Sequence, residues 1–87
     1  MIKQQNITYK LSFPFTFEDE DYTEITFRPI TIKDIKITNK KKEGIDQAAA
    51  MIARLSGWSY DAVDELDARD LKGISEILEG FTERLDT

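Results

Sequence analysis

A strict alternation of large apolar residues near the start limits this chain most. Ile7, Tyr9, Leu11 and Phe13 are separated by Thr8, Lys10 and Ser12, and Phe15 and Phe17 continue the pattern beyond Pro14. A period of two places these side chains on one face of a β-strand. Pro14 has no N–H to give to a ladder, so the strand ends there or lies at an edge. Glu18-Asp19-Glu20-Asp21 follows as a polar turn. It contains no glycine, so more than two residues are expected in it. Tyr22–Arg28 is a second strand, rich in β-branched and aromatic residues. The two make a β-hairpin, and an isolated hairpin is marginal in water, so the rest of the chain must cover its apolar face.

The remainder has helical periodicity. Pro29 stops the second strand. Thr31 with Asp34 three residues on has the shape of a capping box. It opens a short helix to about Ile37, weak by propensity because it is built of Ile and Thr. Asn39 to Gly44, with its lysines, reads as a loop. Ile45–Ser56 is a helix whose stripe is Ile45, Ala48, Ala49, Ile52 and Leu55, with Gly57 as its stop. Ser59 caps a single turn, Tyr60 to Glu65. Asp67 caps a last helix in which Leu71, Ile74, Ile77, Leu78, Phe81 and Leu85 share a face. The expected class is α+β, an N-terminal β-hairpin followed by three α-helices (ββααα). It forms one small domain over residues 1–87, with frayed ends at 1–6 and 84–87.

Composition narrows function chiefly by exclusion. The 87 residues include no Cys and no His. That excludes disulfides and thiolate metal sites, and removes the commonest general base and metal ligand. Serine nucleophiles have no histidine base, carboxylates fall on helix faces and in turns, and no glycine-rich phosphate loop occurs, so an enzyme, a cofactor and a metal are not expected. The net charge of −5 disfavours nucleic acid and anionic lipid. It is unevenly placed: residues 1–43 hold 8 basic and 7 acidic side chains, residues 44–87 hold 4 and 10. No run approaches the roughly 18 apolar residues of a membrane span. Met1–Asn6 has no signal-like apolar core. A soluble, cytoplasmic chain is expected.

Several features admit a functional and an ordinary reading. The acidic run Glu18–Asp21 could hold a cation, but it lacks the calcium-loop pattern and fits a solvated turn. Lys33, Lys36, Lys40, Lys41 and Lys42 could meet phosphates, but with no interleaved arginine or aromatic residue they fit a solvated loop. Trp58 and Tyr60 form either a binding platform or a seal over the core. Gly73 and Gly80 either admit another helix or are tolerated at exposed sites. The hairpin face is core beneath the helices, or, where exposed, a partner surface.

Four segments together resemble the phage tail assembly chaperone family of the Mu-like and P2-like type. They are Leu11-Ser12-Phe13-Pro14-Phe15; Tyr22–Thr31 followed by Asp34; Ile52–Gly57; and Leu66–Leu71 leading into the last helix. In the second, the proline lies one position earlier than in the family pattern. The resemblance implies a non-enzymatic chaperone that binds the tape measure protein, keeps it soluble during long-tail assembly, and is absent from the finished virion. It implies as partners the tape measure protein and a frameshifted longer form of this chain, allows a homo-oligomer, and places the protein in the bacterial host cytoplasm, without nucleic acid or membrane. On this reading the hairpin face and helix seams bind the partner through Phe13, Phe15, Phe17, Tyr22, Trp58 and Phe81, with Arg28 and Arg54 orienting acidic groups at the rim. The alternatives are a homo-oligomeric tail or head–tail joining component, and a small DNA-binding regulator, which the acidic second half disfavours.

Overall fold

The computed structural model describes residues 5–41 and 44–82. Strand β1 (Ile7–Phe17) and strand β2 (Glu20–Phe27) form an antiparallel hairpin. Helices α1 (Ile32–Thr38), α2 (Ile45–Ser56), α3 (Tyr60–Asp64) and α4 (Leu71–Thr82) follow, with a 3₁₀ turn at Ala68–Asp70 before α4. The expected three helices are therefore corrected to four. The Ser59 side chain accepts from the Ala62 N–H and starts α3 as a helix of its own. Asp67 caps the 3₁₀ turn, so α4 begins only at Leu71. Of the ends expected to fray, only Gln5 and Asn6 lie among the described residues.

The hairpin departs from the simple alternation. Pairing runs from Ile7↔Phe27 to Lys10↔Glu24, breaks, and resumes from Phe15↔Tyr22 to Phe17↔Glu20. Leu11 to Pro14 thus stand opposite Thr23 alone, a bulge with the proline inside it. An odd shift in register moves side chains to the other face. Leu11 stays buried, whereas Phe13 is 37% exposed, so the six apolar residues of β1 do not share one covered face. The N–H groups of Ser12 and Phe13 bond to Asp70 instead of to β2.

The turn is also shorter than expected. Only Glu18 and Asp19 lie between the last paired residues, and both have positive φ, 51° and 63°. This is the left-handed geometry of a two-residue hairpin turn, normally given to Asn-Gly. The flanks hold it shut: Thr16 donates to Asp21 at 2.8 Å, and the Phe15 and Tyr22 rings stack at 5.0 Å. Replacing Glu18 with Asn and Asp19 with Gly is expected to raise stability by about 1–2 kcal/mol. The check is a higher urea midpoint with an unchanged m-value.

The core joins Leu11, Ile25 and Phe27 of the hairpin to Ile52, Ala53 and Leu55 of α2, Val63 of α3 and Ile74 of α4. α2 packs on β2, and α4 with its 3₁₀ turn packs on β1. The Arg28 N–H donates to the Leu55 carbonyl at 3.1 Å, tying the end of β2 to α2.

Candidate binding groove

Two buried aspartates fix the frame on which any surface is displayed. Asp34 is 1% exposed. Its Oδ2 accepts from Arg28 Nη1 at 2.7 Å, the Thr31 N–H at 2.8 Å and the Thr31 hydroxyl at 2.9 Å. Its Oδ1 accepts from Arg28 Nη2 at 2.8 Å and from Arg54 Nε. Thr31 Oγ1 in turn accepts from the Asp34 N–H, so the capping box is present. One carboxylate thereby joins the end of β2, the start of α1 and the last turn of α2. The Arg28 guanidinium, first among several donors, holds the Asp34 carboxyl far below the usual carboxylate range. Asp70 is 0% exposed. It accepts from the Tyr9 hydroxyl at 2.9 Å and from the Ser12 and Phe13 N–H groups at 2.9 and 3.1 Å. The bond to Asp70 pushes the Tyr9 phenol above its ordinary pKa. Gly73, one turn on, makes room for the Tyr9 ring.

The residues expected to bind a partner fall into separate groups. Phe15, Tyr22 and Trp58 form one aromatic cluster, with Trp58 edge-on to Tyr22 at 4.8 Å and to Phe15 at 6.1 Å. Desolvation, then the bond to Glu20, raises the Tyr22 phenol. Phe17 is half-buried near the hairpin tip. Phe13 stands apart on the bulge, with the Arg69 guanidinium 3.5 Å from its ring centroid. Arg69 also pairs with Asp67, whose carboxyl it lowers to about 2. Arg28 and Arg54 converge on Asp34, so the donors expected to orient a partner's acids hold an internal one. Phe81 is half-buried and packs against the core from α4.

Three adjoining hollows form an interrupted groove over α2. A hollow of about 210 Å³ between α1, α2 and the start of α3 is lined by Ile37, Ala50, Ala53, Arg54, Trp58 and Tyr60, among others. A second, of about 220 Å³, is lined by Ile45, Ala49, Ile52, Leu66 and Leu71 and their neighbours. A third, of about 430 Å³ and bounded by Lys40, Lys41, Asp46, Ala49, Tyr60 and Asp64, adjoins both; it shares Ala49 and Asp64 with the second, and Lys41 and Tyr60, whose ammonium and ring centroid are 5.7 Å apart, with the first. The floor is alanine, and exposed apolar side chains stand along it: Ile37, Ile45 at 64% and Tyr60 at 52%. Among the expected contacts, Arg54 and Trp58 line this groove. Ile37, Ile45, Ala49, Ala50 and Ala53 were not singled out as binding residues. A signal was available: alanines at 48, 49, 50 and 53 surround more of α2 than one core-facing stripe requires.

This arrangement suits binding better than chemistry. Among the described residues no buried side-chain N or O lacks a hydrogen-bond partner, and no group of three or more acidic, His or Cys side chains is placed to hold a metal. Among them, too, no helix is long and apolar enough to cross a membrane. Apolar hollows with charged edges on a small, pinned scaffold suit a protein that holds another chain. Comparison with family models gives the same class: the model for phage tail assembly chaperone proteins, E, or 41 or 14, matches residues 8–83. The chain belongs to that family of tail assembly chaperones. Comparisons with curated proteins and with solved structures found no match.

Proposed function

We propose that this chaperone binds the tape measure protein of its phage, keeps that chain soluble in the bacterial host cytoplasm while the tail tube assembles, and leaves before the virion is complete. The observation that carries this reading is the alanine-floored groove over α2, open and flanked by exposed Ile37, Ile45 and Tyr60. Amphipathic helices lie in such grooves with their apolar stripe down. A long helix without its partners is an aggregation hazard, and covering the stripe removes the hazard. Trp58 and Arg54 belong to the contact, and Phe13 with Arg69 forms an outlying one.

The molecule's longest dimension is 41 Å. At 1.5 Å per residue, that spans no more than about 27 helical residues. A longer partner needs several copies, whose weak contacts add along it while each remains displaceable. A frameshifted longer form of the chain carries the same domain and takes places in the same array.

Co-expression with the tape measure gene of the same locus is expected to give a co-purifying complex and more soluble tape measure protein. Failure of both rejects the reading. Mass spectrometry of purified virions is expected to find the chain missing; its presence in stoichiometric amount rejects the chaperone role in favour of a structural one.

A further inference from the structure

We infer that the hollow between α1, α2 and α3, together with the uncovered face of α1 beside it, takes an acidic amphipathic segment of a partner protein, one whose apolar side chains alternate with carboxylates. This rests on the reading of the chain as a holder of another protein, and it adds the chemistry of what is held. The sequence of α1 builds the face. Ile32, Lys33, Lys36 and Ile37 recur at i, i+1, i+4 and i+5, within about 140° of arc around the helix. All four are exposed, Ile32 at 69%, while Asp34 and Thr38 on the other side of the helix are buried. Ile37 also lines the hollow, so the face and the hollow are continuous.

Charge selects the occupant. The charged residues lining the hollow are Lys41 and Arg54, both basic. Residues 32–41 hold four lysines and one aspartate in a chain of net charge −5, and that aspartate, Asp34, is already paired with Arg28 and Arg54. Among the described residues, none of the four lysines forms an ion pair, and Arg54 gives only its Nε to Asp34. The second hollow, whose charged lining residues are Asp64 and Asp67, has the opposite preference. At about 210 Å³ the first hollow is smaller than the roughly 300–1,000 Å³ of small-molecule sites, and it suits side chains of a docked segment. A nucleic acid strand would satisfy the lysines but set phosphates against Ile32 and Ile37, and the Trp58 ring is engaged by Phe15 and Tyr22 instead of open to a base. An acidic amphipathic segment covers the isoleucines and meets the cations with one surface. Charges elsewhere on the acidic chain are screened beyond about 10 Å at 0.1 M salt, so the local cations decide.

The test uses three fluorescein-labelled peptides of about 20 residues that share one apolar stripe and carry Glu, Gln or Lys at the remaining positions. Anisotropy titration with the full chain at about 0.1 M salt is expected to favour the Glu peptide roughly tenfold over the Gln peptide, and by more over the Lys peptide. Lys33→Glu/Lys36→Glu and Lys40→Glu/Lys41→Glu should each abolish that preference. Lys10→Glu/Lys72→Glu makes the same change of charge on β1 and α4, at residues that line none of the three hollows, and should keep it. All six lysines are exposed, and matching circular dichroism checks each variant's fold. Equal binding of the three peptides, no binding of any, an equal loss in the Lys10/Lys72 variant, or tighter binding of a labelled oligothymidine than of the Glu peptide overturns the inference. If the tape measure protein co-purifies while the peptides fail to rank, the inference falls and the chaperone reading stands. If the peptides rank as expected while co-purification fails, the site stands and the tape measure reading falls.

Discussion

Asp70→Ala is expected to lose about 3–5 kcal/mol of folding stability. A chain of this length has about 4–13 kcal/mol in total, so the loss is a quarter of the stability or more. The Asp70 carboxylate lies in a 3₁₀ turn, yet all three of its described partners come from β1, some sixty residues away: the Tyr9 hydroxyl and two backbone N–H groups. Those N–H groups are free of β2 because the bulge takes them out of the ladder. Without the carboxylate they are donors with no acceptor at a half-buried joint, and each such orphan costs about 1–3 kcal/mol. Asp70→Asn keeps one acceptor oxygen and should cost about half as much. Gly73→Ala breaks the same joint by another route. A Cβ there would stand 2.6 Å from the Tyr9 ring, and the ring is held by its bond to Asp70. The helix gains about 1 kcal/mol from alanine but loses that bond and its packing, for a net loss of about 1–3 kcal/mol. Gly80→Ala, with nothing within 4 Å of the new methyl, should instead stabilise by up to about 1 kcal/mol. Urea midpoints at constant m-value check all four; equal effects at Gly73 and Gly80 would contradict the Tyr9 contact.

Asp34→Ala is the second large effect, a loss of about 2–4 kcal/mol. It removes the acceptor of two arginines and the reciprocal half of the α1 cap. The value is kept below that of a fully buried ion triad because the Arg28 and Arg54 side chains are 41% and 32% exposed and regain water. The pH dependence follows from the direction of the shift. The folded carboxyl titrates far below its ordinary value of 3.8, so its stabilisation is complete above that value and drains away as pH falls below it toward the folded pKa. Stability of the parent chain should therefore fall between about pH 4 and pH 2. Asp34→Asn, already weakened at neutral pH, should show a flatter acid limb. Parallel acid limbs in the two chains would refute the assignment. Tyr9 acts at the other end of the scale. Its raised phenol pKa contributes stability that is present below the ordinary value of 10.0 and is lost as pH rises through the folded value.

The local pieces were legible because they depend on neighbours in sequence. Alternation from Ile7 marked a strand, the three- and four-residue recurrence from Ile45 marked α2, and Thr31 with Asp34 marked the cap of α1. What failed depended on contacts between distant residues. One exception is local: the turn that Ser59 caps is a helix, making four helices in place of three. The Glu18-Asp19 turn is tight without glycine because a Phe15–Tyr22 stack, itself seated against Trp58, closes its flanks. That Arg28 and Arg54 meet at Asp34 is likewise something nothing local says.

The sequence by itself determined that this chain makes a hairpin that needs helices over it, has no cysteine or histidine chemistry, and resembles tail assembly chaperones, a membership the match over residues 8–83 establishes. Periodicity, capping and composition are local properties, and a single sequence states them directly. Only the tertiary structure decided that the β1 bulge gives its N–H groups to Asp70, that Gly73 makes room for a tyrosine, and that Ile37, Ile45 and Tyr60 border an alanine-floored groove. Each of these is a meeting of residues far apart along the chain. A helix's period tells which of its side chains share a face, but only the placement of its neighbours decides which part of that face is left uncovered.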